Sequence, residues 1–422
     1  MRMASSWSGG SPHRLALGLG SVAICHWFDK QKRLRWRQFQ KRRVMLIGAF
    51  TTDWQESPLI DEEKSQATGK QEIVEGKKTM SFGGTFYYRG AMPLMELAKH
   101  GYEIKISWKF NVAPDGHIRM MDTDGEWFDP DVVWTQRWMH KDGPDQMRRA
   151  RAAGQIIVAD LDDGFWNLPK SNIAADTTSP KNNPEFNRDH YLKVLAAGDA
   201  ITVSTDALAK DMERLCPGVP VFICKNAIDL ELWKTHDPRQ DGFIGWVGGI
   251  QWRAHDLHVL RPSLPKFLLD NDLPIYHGGD SEVPGVPKLW DQCGIDPTKT
   301  NCFAAPLCHI SKYPGLWNPI NLALVPLENH PFNVRKSHLK GLEASACGIP
   351  FIYSSKMPEY EQFGAGIPAD NTKPKSWRAA LDSMLDPEAR LKEGLRNRAI
   401  AEQWNIHDRW THWDDVFRSL VA

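Results

Sequence analysis

The stretch Asn318–Ser354, NPINLALVPLENHPFNVRKSHLKGLEASACGIPFIYS, decides how this chain is read. Ile320–Pro326 is an apolar run that predicts a buried strand, and a polar turn with Asn329, Pro331 and Asn333 follows it. Lys336–Cys347 has helical character, Gly348 is a helix stop, and Ile349–Tyr353 predicts a second short strand. Strand, loop and helix in that order form half of a parallel α/β unit, whose ligands sit at the strand's C-terminal end against the helix N-terminus. The spacing puts Lys336 at that N-terminus, where the dipole and the free amides favour an anion. Glu343 falls on the same face about two turns on, roughly 10 Å along the axis. A cation at an anion site with a carboxylate beyond it suits a ligand with phosphate at one end and hydroxyls at the other. A nucleotide sugar is such a ligand.

KSHLKGLEASACGIPFIYS also resembles the nucleotide-binding segment of GT-B glycosyltransferases, two-Rossmann-domain enzymes that take sugars from nucleotide donors. The resemblance is to the GT4-like, or group 1, branch, and within it to bacteriophage-encoded and actinobacterial members. It implies that Glu343 holds the nucleotide ribose and that Lys336 and Ser337 face the diphosphate. One departure bears on mechanism. Many retaining members carry a second glutamate eight residues earlier, and that position here is Arg335.

Further motifs follow in family order. Val44–Gly48 predicts the opening strand, and Thr51–Lys78 has no clear periodicity and reads as a mobile loop. Gly83 and Gly84 open GGTFYYRGAMP, which resembles the family's first glycine-rich loop and implies that Gly83, Gly84 and Arg89 contact the donor. A glycine pair before a helix, here Ala91–His100 ended by Gly101, lets backbone approach a diphosphate closely. Asp131–Trp134 and Gln155–Ala159 predict strands, with Gln136 and Arg137 at the C-terminal end of the first. The second runs into Asp160-Leu161-Asp162-Asp163, which resembles an acidic D-x-D-D motif on the acceptor side. Clustered carboxylates raise one another's pKa, which suits a general base or a metal site, while a solvated turn would use the same residues. Asp162 and Asp163 are the catalytic candidates from this loop, with no metal assigned.

Ala200–Thr205 predicts a strand ending in a helix cap at Ser204 or Thr205, and Val219–Ile223 predicts the last strand of the first domain. Lys225–Asp229 resembles the segment at the GT-B domain junction, and Asp237–Gly242 reads as the linker. Phe243–Gly249 opens the second domain as a strand with Gly248 and Gly249 at the cleft. The resemblance implies that the loop at the next helix start contacts the donor phosphates, with Arg253 as the cation, while His255 faces either the donor or solvent. Pro274–Gly279 is another strand ending in glycine. Trp410, Trp413, Val416 and Phe417 stand at helical spacing in Trp404–Leu420, which resembles the GT-B C-terminal helix.

Composition bounds the alternatives. A chain of 422 residues fits two domains, and 41% hydrophobic content supplies their cores. Eighteen tryptophans read as core and interface packing. Seven cysteines without CxxC spacing argue for reduced thiols in a cytoplasmic setting. Residues 1–43 hold ten Lys/Arg against one acid; subtracting these from 52 and 52 leaves 42 basic and 51 acidic residues, so the charge of the body does not itself point to nucleic-acid binding. The apolar run Leu15–Cys25 is eleven residues, short of the roughly 18–20 a bilayer span needs. The tail reads as a disordered basic extension or an early start codon, with association to an anionic surface or nucleic acid, or export, as the alternatives.

The expected architecture is therefore α/β, two doubly wound Rossmann-like domains facing across a cleft. Residues 1–43 form the extension, 44–236 the acceptor-side domain, 243–403 the nucleotide-sugar domain, and 404–422 a helix packing back on the first domain. The resemblance implies sugar transfer from a nucleoside-diphosphate sugar, with no obligate cofactor, to a virion protein, a glycan or a modified DNA base. A sugar-nucleotide epimerase and an inactive nucleotide-sugar-binding protein are the rival readings.

Overall fold

A computed structural model describes residues 44–52, 54–60, 73–281 and 285–421, so the basic extension 1–43 lies outside the described residues. In chain order the strands of the first half begin with β1 (Leu46–Thr51), β2 (Trp54–Ile60), β3 (Ile73–Phe82), β4 (Glu103–Ser107), β5 (Lys109–Val112) and β6 (Ile118–Met121). β7 (Trp127–Phe128), β8 (Val132–Gln136), β9 (Ile156–Leu161), β10 (Ala200–Val203) and β11 (Val221–Ile223) complete the first half. The second half holds β12 (Phe243–Val247), β13 (Ile275–Asp280), β14 (Cys302–Pro306), β15 (Ile320–Val325), β16 (Phe351–Ser354) and β17 (Ile367–Ala369).

Two six-stranded sheets carry the architecture, ordered β11-β10-β9-β8-β1-β4 and β14-β13-β12-β15-β16-β17. Every pairing within them is parallel. The central strands are largely apolar, as a sheet covered on both faces requires; β1, β8, β9 and β13 are buried at every position. The order in which strands are added reverses between β1 and β8 in one sheet and between β12 and β15 in the other. Ligands bind outside the carboxyl ends of strands at such switch points. The ends that matter are therefore Gln136–Arg137, Asp162–Asp163, Gly248–Gly249 and the loop after Val325.

The segment read as a mobile loop, Thr51–Lys78, instead contributes the antiparallel pair β2–β3, while residues 61–72 lie outside the described residues. A second insert, the meander β5–β6–β7, packs Ile118 and Met120 on Phe50 and Val133 of the first sheet.

The helix expected over Ala91–His100 begins earlier, at Gly84, passes through a π-turn at Tyr87–Ala91 and ends at Ala98. Gly90 explains the close approach there: a Cβ would meet the Phe86 ring at 2.5 Å and the Trp134 ring at 2.9 Å. Leu94 and Leu97 on this helix join Ile47, Trp134 and Val158 in a core completed by Trp413, Val416 and Phe417. Those three lie on the last helix, Thr411–Val421, so the chain's end is built into the first domain. Another core runs between the domains, with Tyr88 and Met92 of the first packed among Leu342, Phe351 and Tyr360 of the second. Among the described residues, no helix is long and apolar enough to cross a membrane. The six described cysteines are free thiols.

Candidate functional site at the domain cleft

The helix after β15 is shorter than its sequence suggests. It spans Leu339–Ala346 with His338 as N-cap, and a 3-10 turn at Asn333–Arg335 precedes it. Asn333 holds that turn apart from the helix, donating from Nδ2 to Asp256 at 2.6 Å and to the Glu328 carbonyl at 3.0 Å. Lys336 is therefore three residues ahead of the helix, in extended backbone at φ −71°, ψ 139°, and not at its N-terminus. At the other end the expectation holds: Gly348 takes the left-handed φ of +73° that stops the helix.

Arg335, Lys336 and Ser337 each reach a different element of the first domain. The Arg335 guanidinium grips Asp211 on the helix Asp206–Leu215, and the Arg335 carbonyl accepts from Thr205 Oγ1 at 3.2 Å. Lys336 Nζ donates to Asp163 Oδ1 at 2.5 Å, beyond the end of β9. Ser337 Oγ accepts from Asn226 Nδ2 at 2.9 Å. Thr205 also caps its own helix by accepting from Leu208 N at 3.2 Å, which settles the choice between Ser204 and Thr205. Arg335 thereby ties the two domains together.

The acidic loop divides into two kinds of group. Asp160 is fully buried beneath the cleft, where it takes Arg89 in a fork, Gln136 Nε2 at 3.1 Å and Thr202 Oγ1 at 2.7 Å. Asp162 and Asp163 stand at the cleft around Arg137, whose Nη2 lies 3.3 Å from Asp162 and 3.8 Å from Asp163. Arg137 adopts a left-handed φ of +56°, uncommon for a side chain of this size, and also donates to Thr85 Oγ1 at 3.0 Å. Burial pushes the Asp162 carboxyl above its ordinary value, with Asp163 adding to the rise and Arg137 opposing it. Burial pushes on Asp163 too, but Lys336 and Arg137 outweigh it and hold this carboxyl below its ordinary value. Burial and the Arg253 charge depress the Lys336 ammonium despite Asp163 beside it. Two adjacent carboxylates driven apart in this way can divide acid–base roles.

Glu343 lies inside the second domain at 1% exposure. Tyr313 donates its hydroxyl to Glu343 Oε2 at 2.8 Å, and Lys340 Nζ reaches the same oxygen at 2.9 Å. Lys340 also lies 4.8 Å from the centre of the Tyr313 ring. Tyr88 of the first domain completes this corner, its phenol raised well above the usual range by burial and then by the Glu343 charge. Lys340 could have been found from its i, i+3 spacing to Glu343. Tyr313, thirty residues away in sequence, gives no such signal.

The remaining candidates separate. Gly83 precedes the first helix and accepts from Tyr87 N at 3.1 Å, while a Cβ on Gly84 would meet nothing within 4 Å. Arg89 does not reach the cleft: it is 1% exposed and spends its fork on Asp160, Asn226 Oδ1 and the Cys224 carbonyl, with Trp413 against it. Arg89 lies within the π-turn Tyr87–Ala91, which the motif itself does not signal. Gly248 takes its backbone turn at the end of β12, where its carbonyl meets His277 Nε2 at 2.8 Å, and Gly249 opens the 3-10 turn Ile250–Trp252. Arg253 and His255 line a small cleft together with Asn172 and Phe332; Arg253 lies 3.5 Å from Asp256, and His255 is exposed.

No protein-family model and no curated protein matches this chain. Solved structures match in fold. HepE of Anabaena, solved in complex with UDP, is 10% identical with a TM-score of 0.54, over 89% of this chain and 100% of that one. A UDP-forming trehalose-phosphate synthase of Burkholderia xenovorans is 12% identical with a TM-score of 0.49, over 90% and 98%. TarM is 11% identical with a TM-score of 0.48, over 73% and 63%. The architecture is thus GT-B, two Rossmann-like domains with a parallel sheet each.

Proposed function

We propose that this chain is a glycosyltransferase that takes a sugar from a nucleoside-diphosphate donor held at Lys336 and Glu343. The observation that carries the reading is the placement of Lys336: it stands beyond β15 at a switch point, faced by the carboxylates beyond β9 of the opposite domain. Breaking a glycosidic bond to a nucleoside diphosphate builds negative charge on the leaving group. Lys336 and Arg253 would meet that charge, the electrostatic contribution that usually dominates such catalysis. Glu343, kept in place by Tyr313 and Lys340, offers a carboxylate to ribose hydroxyls. Ser337, Gly83, Gly84, Gly248 and Gly249 line the approach as backbone and hydroxyl contacts. On the acceptor side Asp162 is the group suited to take a proton from an incoming hydroxyl. Three cations near the cleft supply positive charge that a metal would otherwise bring, so transfer proceeds here without an obligate divalent ion.

The acceptor belongs to the hydroxyl-bearing glycans, virion proteins or modified DNA bases, and the free thiols suit a cytoplasmic setting. The test is incubation of the full chain with radiolabelled UDP-, GDP-, ADP- and TDP-sugars. Release of nucleoside diphosphate from at least one donor is expected, faster when acceptor is present. Inertness toward all four classes would overturn the reading.

A further inference from the structure

Lys336 is already satisfied by an anion. Its ammonium sits against Asp163 Oδ1 at 2.5 Å and 4.3 Å from the centre of the Phe332 ring, with 12% of the side chain exposed. A carboxylate oxygen at that distance does what a phosphate oxygen would do at the same ammonium. The charges around the point also set a balance. Lys336, Arg137 and Arg253 act on Asp163, and only Asp162 and Asp163 of this loop oppose them at the cleft.

Building on the donor reading above, we infer that Asp163 is a built-in competitor for the donor diphosphate, occupying Lys336 in the empty cleft and displaced from it when diphosphate binds. The displacement is a side-chain movement and not an opening of the domains. Arg335–Asp211 and Ser337–Asn226 bridge the cleft on either side of Lys336 and do not involve Asp163. These two bridges keep Lys336 in register while its counter-ion is exchanged. The freed carboxylate stays on the loop after β9, beside Asp162 and Arg137, on the acceptor side of the cleft. Donor occupancy thereby changes the charge that the acceptor meets, which makes donor binding precede productive acceptor binding.

Titration calorimetry of the full chain with inorganic pyrophosphate and with UDP tests this without knowledge of the sugar. Asp163→Asn, nearly the same shape, should bind pyrophosphate about tenfold more tightly or better, because a charged hydrogen bond no longer has to be broken. Lys336→Met should bind it weakly, and adding Asp163→Asn to Lys336→Met should give no gain. Asp163→Ala provides the same comparison should the asparagine variant fold poorly. Unchanged or weaker binding in both Asp163 variants would overturn the inference while leaving wild-type binding, and so the donor reading, intact. Pyrophosphate binding that ignores Lys336→Met would place the diphosphate elsewhere and overturn it as well. A wild type that binds neither pyrophosphate nor UDP, with Asp163→Asn equally inert, would overturn the inference and count against the donor site itself.

Discussion

Arg89 and Asp160 form a fork-to-fork ion pair with no solvent around it: Nε–Oδ2 is 3.1 Å, Nη2–Oδ1 is 2.7 Å, and the side chains are 1% and 0% exposed. The pair lies beneath the cleft and joins the first helix to β9, the strand that carries the acidic loop. Its guanidinium also holds the Cys224 carbonyl and Asn226 at the domain junction. Removing one partner strands the other charge in the core. Arg89→Met is therefore expected to destabilise the fold by about 3–5 kcal/mol in a urea titration, as breaking a buried pair does. A loss below about 1 kcal/mol, the range of exposed pairs, would show that Arg89 is not structural.

Asp162 should set the acid limb of activity. Its carboxyl is raised by burial and by Asp163, so it stays protonated to a higher pH than an ordinary carboxyl. Its base form is lost as pH falls through that raised value, and turnover should fall with it along a single limb. The same shift has the opposite sign for stability. A carboxyl raised in the folded state favours folding in acid and loses that contribution as pH rises through the folded value. Asp162→Asn should accordingly melt no lower than wild type at neutral pH while turnover drops about 100-fold or more. Full activity in that variant, or wild-type activity abolished by EDTA and restored by Mg²⁺, would exclude this role.

His338 predicts a second pH effect, on stability alone. It is 1% exposed, stacked on Phe363 at 4.5 Å, and its Nδ1 lies 3.8 Å from Glu359, beyond a hydrogen bond. Burial lowers its pKa, with Lys225 and Arg409 adding to the depression and Glu359 opposing it. A depressed base contributes stability above its unfolded value, near pH 6.5, and loses it as pH falls from there through the lower folded value. Between those limits the loss approaches about 1.4 kcal/mol per pH unit. His338→Gln should flatten the fall in melting temperature between pH 7 and pH 5 relative to wild type. Parallel curves for the two proteins would contradict the assignment.

The fold was legible because parallel strands buried on both faces write themselves as apolar runs, and because Gly101 and Gly348 mark stops with left-handed φ. The pair β2–β3 was not, since WQESPLI lacks the alternation that a half-buried strand shows. In the site, residue type outran position. Lys336, Glu343, Asp162 and Asp163 could be named as candidates from local pattern and Arg253 from the family resemblance, but their partners distant in sequence could not. Asp163–Lys336 spans 173 residues and Tyr313–Glu343 spans 30. Arg89 shows the opposite failure: its motif suggests a ligand contact, and it lies buried within a π-turn that no periodicity reveals.

Glu343 and Lys336 should contribute to different parts of one ligand. Glu343→Ala is expected to weaken nucleoside and nucleoside diphosphate alike, by roughly 1.5–3 kcal/mol for a charged hydrogen bond. Lys336→Ala should weaken the diphosphate and spare the nucleoside. Competition binding with uridine, guanosine and adenosine beside their diphosphates separates the two. Equal losses for both ligands in Lys336→Ala would remove Lys336 from the phosphates.

The most direct measurement is a thermal-shift comparison of wild type and Lys336→Ala across UDP, GDP, ADP and TDP at saturating concentration. Ligand that binds only the folded state stabilises it by about 2.7 kcal/mol at one hundred times Kd. The account predicts that at least one diphosphate raises the wild-type melting temperature by several degrees and that the variant loses most of that shift. No shift with any of the four, or a shift equal in both proteins, would contradict a nucleotide-sugar site at Lys336.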